Sequence, residues 1–468
     1  MLRPVLLLFS CTFLLTAGDV RAEPQSRAQV YRQVEILREL GRKLFRDPSI
    51  SASGKLSCAS CHDPARAFGP PNAFSIQMGG ADLRQAGTRT VPSLRYLQVT
   101  PQFREHYYDS DDEADASIDN GPTGGLTWDG RMDRGRIQAR LPLFAANEMA
   151  NPDAASVVRA VKRSPSLPLL RKAMGRHSIN DTAKVFDVIL QAFEAYEQTP
   201  EEFFPYSSKY DAYLSGKASL TAREARGLDL FDEPSKGNCA HCHLSARGAD
   251  GTPPQFTDYG FATLAVPRNR EIPANADAAY YDLGLCGPYR TDLKDHPEYC
   301  GMFKAPTLRN VALREAFFHN GVFHTLREAV AFYADRDINP GRWYPKAGDG
   351  SIQRYDDLPA QYHENINVEP PFDRKAGDSP ALSEQEIDDI VVFLNTLTDG
   401  YKPQDPATAR LPLRESSLQG KAPENLEIRT GRRLVEKNDA VDRERLPAER
   451  RRQRHESGKR PIAQPLLQ

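Results

Sequence analysis

The chain has 468 residues, enough for two or three domains. Its 61 basic and 63 acidic side chains leave a formal net charge of -2, which excludes the strongly basic balance of a nucleic-acid binder. After the opening twenty residues, no apolar run is long enough to span a bilayer.

Residues 1–22 read as a signal peptide. Arg3 gives a positive start, Val5 to Ala17 form a short apolar stretch, and Val20-Arg21-Ala22 offers a cleavage site. The mature chain is expected to begin near Glu23, in the periplasm. An uncleaved anchor is the other reading. A lipoprotein through Cys11 fits less well, because Phe9 and Ser10 make a poor lipobox.

Tyr31 to Phe45 has helical periodicity, with Val34, Leu37, Leu40, Leu44 and Phe45 largely on one face. After a polar turn comes Cys58-Ala59-Ser60-Cys61-His62. Tyr107 to Gly125 is acidic and Gly-rich and is expected to be a surface loop. Ala154 to Glu197 reads as mostly helical. Thr221-Ala222-Arg223-Glu224 is a capping-box pattern opening a helix that leads to Cys239-Ala240-His241-Cys242-His243. Cys286 and Cys300 are left over. An oxidising compartment allows them to pair, closing a loop of about 15 residues worth roughly 3 kcal/mol; two free thiols are the alternative. Ser383-Glu384-Gln385-Glu386 opens another helix, with Ile387, Ile390, Val391, Leu394 and Leu397 at core spacing. From about Pro403 the chain turns polar and Arg-rich, and is expected to be disordered.

Few segments alternate as strands do. The expected fold is mainly α, with long loops. A helix followed by C-x-x-C-H occurs twice, about 180 residues apart, which suggests two related cytochrome c-like domains, 23–205 and 206–402, before a charged tail, 403–468.

C-x-x-C-H supplies two thiols for the vinyl groups of one haem and an imidazole for its iron. Cys58 and Cys61, then Cys239 and Cys242, would hold two covalent haem c groups, with His62 and His243 as proximal ligands. A redox dithiol or half a zinc site would not need the trailing His. The sixth ligands decide whether a haem carries electrons or does chemistry. Periodicity cannot choose among Met78, Met132, Met149, Met174 and Met302.

Further motifs lie around these two: Leu56-Ser57-Cys58 through Asp63-Pro64 with Ala67-Phe68, then Trp128-Asp129-Gly130-Arg131, then Ala305-Pro306-Thr307-Leu308-Arg309-Asn310-Val311 and Phe318-His319-Asn320-Gly321. Together they resemble the bacterial dihaem cytochrome c peroxidase and MauG family, over nearly all the mature chain up to about Tyr401. The resemblance implies a peroxide-reactive haem at His62 and a low-spin haem at His243. It implies that Trp128 relays electrons between them, that Glu148 assists O–O cleavage, that Gln138 orders the pocket and that Pro142 walls it. Many members carry a capping His about sixteen residues beyond the first proximal His. Here that place is near Met78, in Ser75-Ile76-Gln77-Met78-Gly79-Gly80, and no His stands there. Met78 is a loop hydrophobe or a ligand. Peroxidase members supply a Met about fourteen residues after the His of Phe-His-x-Gly; counting from His319 reaches Tyr333, the axial ligand type of MauG-like members.

The family often holds calcium between its domains, through an Asn side chain shortly before Pro-Thr or Pro-Ser and through backbone carbonyls near Arg314 and Ala316. Thr90 stands in the Asn's place, before Val91-Pro92-Ser93, so calcium is left open. The resemblance implies an enzyme that takes hydrogen peroxide and is reduced by a small c-type cytochrome or cupredoxin. The alternatives are MauG-like oxidation of a partner protein, and a dihaem electron carrier without catalysis.

Overall fold

Helix caps and glycine contacts organise the chain. The computed structural model describes residues 26–107, 120–248 and 250–402. The expected signal peptide and charged tail lie outside these residues, as does most of the acidic part of the 107–125 segment. Thirteen α-helices are described: α1 (Arg27–Leu44), α2 (Cys58–Cys61), α3 (Gly135–Gln138), α4 (Arg140–Phe144), α5 (Ala154–Arg163), α6 (Leu167–Met174), α7 (Thr182–Glu197), α8 (Pro200–Phe203), α9 (Lys209–Leu214), α10 (Ala222–Asp232), α11 (Leu326–Asp335), α12 (Pro340–Trp343) and α13 (Glu384–Asn395). Among the described residues, strands are confined to two antiparallel pairs of two-residue strands, β1 (Met78–Gly79) with β2 (Gln85–Ala86) and β3 (Phe261–Ala262) with β4 (Phe303–Lys304). The helix-rich expectation holds for the described residues, and none of their helices is long and apolar enough to cross a membrane.

Both capping boxes read from the sequence are formed, Thr221 with Glu224 at α10 and Ser383 with Glu386 at α13. A third, Ser26 with Gln29, starts α1 at Arg27, so this helix begins before Tyr31, which is exposed. The 154–197 segment is broken into three helices. The second break follows Gly175, whose φ of 57° ends α6.

Two hydrophobic cores are built alike. In the first, α1 lies along α7, with Leu40, Leu44 and Phe45 facing Ile189, Phe193 and Tyr196. In the second, α10 lies along α13, with Phe231 facing Ile387, Ile390 and Phe393. A glycine sits at each crossing. A Cβ on Gly41 would stand 1.9 Å from the Ala192 carbonyl oxygen, and one on Gly227 would stand 2.1 Å from that of Asp389. Any side chain there would push the helices apart. The matching sequences are Gly41-Arg42-Lys43-Leu44-Phe45 and Gly227-Leu228-Asp229-Leu230-Phe231, each leading into a C-x-x-C-H motif.

One expectation fails. The Gly-rich end of the 107–125 segment, residues 122–125, is buried and does not form a surface loop. Gly124 and Gly125 have φ of 83° and 71°, and a Cβ would lie 2.5 Å from the Gln102 carbonyl oxygen and 2.1 Å from that of Gly130. The glycines serve close backbone packing against the Trp128 turn, which a composition reading takes for solvation.

Cys286 and Cys300 are disulfide-bonded. Their loop carries Arg290, which donates to the Asp129 carbonyl oxygen at 3.0 Å and stacks its guanidinium on Phe103. The bridge therefore braces the turn that holds Trp128. Replacing both cysteines by Ser is expected to cost about 3 kcal/mol by loop closure, read as a lower denaturant midpoint of the holoprotein; an unchanged midpoint would contradict this.

Candidate haem sites

Each C-x-x-C-H motif ends in a histidine whose ring is held in the same way. His62 Nδ1 is 3.0 Å from the carbonyl oxygen of Phe68, and His243 Nδ1 is 2.9 Å from that of Phe256. A carbonyl only accepts, so Nδ1 carries the proton and the Nε2 lone pair is left for a metal. Burial pushes the His62 imidazole down to about 4, and it lowers His243 as well, so both stay neutral. The four motif cysteines are half-buried and unbridged. Two thiols and one free imidazole nitrogen on a single turn are the donor set that a covalent haem requires, and both motifs fit it.

The two carbonyls are aimed by strained backbone. Phe68 has φ of 56° and Phe256 has φ of 54°, left-handed values that a bulky residue adopts at a cost of roughly 1–3 kcal/mol. Ring burial offsets this. Phe68 stacks on Phe203 at 4.1 Å between centroids and meets Phe45 and Tyr196 edge-on. Phe256 meets Tyr210 and Phe231 edge-on. Both phenylalanines are almost wholly buried, worth about 1.5–3 kcal/mol each.

A second repeated segment closes each frame. Ser93 Oγ donates to the Ala67 carbonyl oxygen at 2.6 Å, and Thr307 Oγ1 donates to that of Gln255 at 2.6 Å. Leu94 N and Leu308 N each donate, at 3.3 Å, to the phenylalanine carbonyl that holds the histidine. The backbone of Pro92 interacts with His62, and that of Pro306 with His243. Pro92-Ser93-Leu94-Arg95 and Pro306-Thr307-Leu308-Arg309 are thus one element used twice.

Trp128 joins the two frames. Its indole N–H donates to the Thr90 carbonyl oxygen at 2.9 Å, two residues before Pro92. Its own carbonyl accepts from Lys304 N at 2.9 Å, two residues before Pro306. The neighbouring Asp129 is fully buried and is paired with Arg89 at 2.7 Å and with Arg131. These cations hold its carboxyl below the usual range against the opposing effect of burial.

The surroundings of the two motifs differ. At the first, the turn after α4 carries Glu148. Glu148 N donates to the Ala145 carbonyl oxygen and Met149 N to that of Pro142, both at 3.0 Å, while Asn151 Nδ2 ties the turn to Ile50 at 2.9 Å. Glu148 is exposed on this turn, with protein atoms crowded around its carboxyl. Burial raises its carboxyl above the ordinary range, and Arg131 pulls it back. Its charge is felt at Cys61. Gly79 and Gly80 lie against this turn: Gly80 N donates to the Glu148 carbonyl oxygen at 2.8 Å, and a Cβ on Gly79 would stand 2.2 Å from that of Asn147. Met78 beside them is 48% exposed, in keeping with a loop hydrophobe. Met149 and Met174 are packed in the first core. Half-buried Gln138 ends α3, and its amide has no hydrogen-bond partner among the described residues.

Sequence reasoning missed Glu197, at the end of α7. Burial, with the Glu194 charge adding to it, pushes this carboxyl up to about 8, and its charge is felt at Cys58. Nothing in the sequence separates it from an ordinary helix-end glutamate.

At the second motif, Tyr333 lies on the half-buried face of α11. Its ring stacks on Phe318 at 5.8 Å and tilts against Phe372 at 5.3 Å. Its hydroxyl has no hydrogen-bond partner among the described residues. Burial drives its ionisation upward, and it is close enough to Cys242 and Cys239 to interact with both. His319 contributes elsewhere: its ring stacks flat on Phe303 at 3.5 Å, and its carbonyl oxygen accepts from Thr90 N at 2.7 Å.

A family model described as di-haem cytochrome c peroxidase matches residues 36–219. The chain is 33% identical over 384 residues to the methylamine utilization protein MauG of Paracoccus denitrificans, covering 79% of this chain and 90% of that one. It is 27% identical over 302 residues to the cytochrome c551 peroxidase of Nitrosomonas europaea, covering 62% and 71%. Among solved structures, the diheme peroxidase BthA of Burkholderia thailandensis is 40% identical with a TM-score of 0.67, covering 78% of this chain and 86% of that one. A tyrosine-to-methionine variant of BthA, also 40% identical and with the same coverage, gives a TM-score of 0.69.

Proposed function

The chain belongs to the di-haem cytochrome c peroxidase family, and we propose that it is a periplasmic dihaem peroxidase that reduces hydrogen peroxide with electrons from a protein donor. The observation that carries this reading is the unequal surroundings of two equal frames. A carboxyl with a raised pKa faces the first motif, and a phenol with no hydrogen-bond partner among the described residues faces the second. On this reading the haem domains are 23–205 and 206–402.

His62 and His243 would hold the irons through Nε2, with Tyr333 as the second ligand at the His243 site. Haem iron, when bound, supplies the redox chemistry on peroxide. The remaining work falls to this chain's side chains. Glu148, whose carboxyl is held above the ordinary carboxylate range, can take the proton of one peroxide oxygen and return it to the other, so that the departing oxygen leaves as water. Arg131 keeps the same carboxyl able to ionise between turnovers. Gln138 would orient the peroxide through its side-chain amide, and Pro142 supports the Glu148 turn through its carbonyl. Trp128, hydrogen-bonded to both proline segments, is the electron relay of this reading. The donor is a small c-type cytochrome or a cupredoxin.

Tyr333 favours a second reading. A phenolate is a hard anionic ligand that lowers an iron potential relative to a thioether. Such a site is suited to holding oxidising equivalents, and oxidation of a partner protein is the alternative. Tyr333 in a half-apolar setting does not suit a plain electron carrier, and neither does Glu148.

Replacing Glu148 by Gln is expected to lower steady-state peroxide turnover with a reduced small cytochrome c by roughly 10²- to 10⁴-fold, with the haem content unchanged. Wild-type turnover in this variant would overturn the assignment of Glu148. Replacing Tyr333 by Phe, and separately by Met, is expected to change the low-spin spectrum of the His243 haem while leaving the other haem as it was. If neither exchange moves the spectrum, Tyr333 is not the ligand.

A further inference from the structure

Arg314 is a half-buried cation that no salt bridge pairs with a carboxylate among the described residues. Its Nη1 donates to the Val91 carbonyl oxygen at 3.1 Å and its Nε to the Ala316 carbonyl oxygen at 3.2 Å. Nη2 is buried and has no hydrogen-bond partner among the described residues. Burial alone shifts this group, down to about 10, with no carboxylate opposing it. The adjacent Glu315 is engaged elsewhere, with Arg66. Arg309, by contrast, forms a two-pronged pair with Asp211 at 2.9 and 3.0 Å.

The place matters as much as the pairing. Val91 lies between Thr90, which accepts the Trp128 indole N–H, and Pro92, whose backbone meets His62. Arg314 is near enough to His62 to help lower its pKa. The Thr90 hydroxyl is itself buried without a partner, and Thr90 N is bound to His319. Backbone oxygens from two distant stretches, residues 91 and 316, therefore converge on one positive group at the seam between the frames. Converging carbonyl oxygens are the coordination that a hard divalent cation takes. In this chain they are already used by a guanidinium, and the adjacent Thr90 offers a neutral hydroxyl, a weaker donor than a carboxylate or an amide oxygen. The residues present do not fit a calcium ion.

We propose that Arg314 is the resident cation of this seam, and that the protein has both haems in their working state without calcium. The proposal rests on His62 holding a haem but not on which substrate that haem serves. Arg314 is a positioning residue: it holds the Val91 carbonyl, and through that segment it fixes Trp128 and His62 relative to each other.

The test uses the holoprotein. Metal analysis of the wild type, desalted without chelator, is expected to find far less than one calcium per chain. EGTA and added calcium chloride should each leave the haem spectrum and the thermal midpoint unchanged. Close to one calcium per chain, or a spectrum that EGTA alters and calcium restores, would overturn the proposal. Replacing Arg314 by Ala frees both carbonyls, so this variant is expected to show a shifted spectrum of the His62 haem and a lowered midpoint, whereas Arg314→Lys keeps a cation and should recover most of both. An Arg314→Ala protein with wild-type spectrum and midpoint would also overturn it. Should that variant not fold, the calcium content of the wild type still decides. A failure of peroxide turnover alone would bear on the proposed function and not on Arg314.

Discussion

A backbone carbonyl in a left-handed turn holds the histidine of each C-x-x-C-H motif, and much of the site depends on that bond. It sets the imidazole tautomer, leaves the Nε2 lone pair for a metal and fixes the ring against its motif. The carbonyls of Phe68 and Phe256 point correctly only because both residues adopt φ values that phenylalanine avoids. The aromatic clusters around them keep them there. Those clusters in turn need α1 close to α7 and α10 close to α13, which Gly41 and Gly227 allow. Helix contact, ring packing, loop strain and ligand orientation thus form one chain of causes, present twice.

Function comes from what the repeat does not share. The frames are alike in their glycine contacts, their phenylalanine carbonyls and their Pro-Ser/Thr-Leu-Arg segments. They differ in what faces the motif: Glu148 on a turn after α4 in one, and Tyr333 on α11 in the other. Trp128 belongs to neither frame. It is hydrogen-bonded to the segments that touch both histidines, and the disulfide loop braces it through Arg290. A duplicated scaffold with unequal faces and an indole hydrogen-bonded between its segments suits a division of labour between a reactive centre and a reservoir.

Much of this was legible in the residues. The motifs carry their own spacing, capping boxes are local patterns, and Cys286 and Cys300 were left over once the other cysteines had roles, with the structure deciding for a bridge over two free thiols. Tyr333 and Glu148 were reached through the family resemblance, since neither sits in a local pattern of its own. Other features are tertiary and left no local mark. Nothing in Phe68 or Phe256 announces a positive φ. The burial of residues 122–125 depends on the Trp128 turn folding over them. The raised pKa of Glu197 and the isolation of Arg314 depend on neighbours far away in the sequence. The repeat of Pro92-Ser93-Leu94-Arg95 at Pro306-Thr307-Leu308-Arg309 was the one available signal for the second half of each frame.

The central claim is that two equal frames hold two unequal irons. Electron paramagnetic resonance of the oxidised holoprotein, before and after one equivalent of hydrogen peroxide, tests it most directly. The account predicts one high-spin and one low-spin ferric signal, with the high-spin signal lost on adding peroxide. Two low-spin signals that peroxide leaves untouched would contradict it.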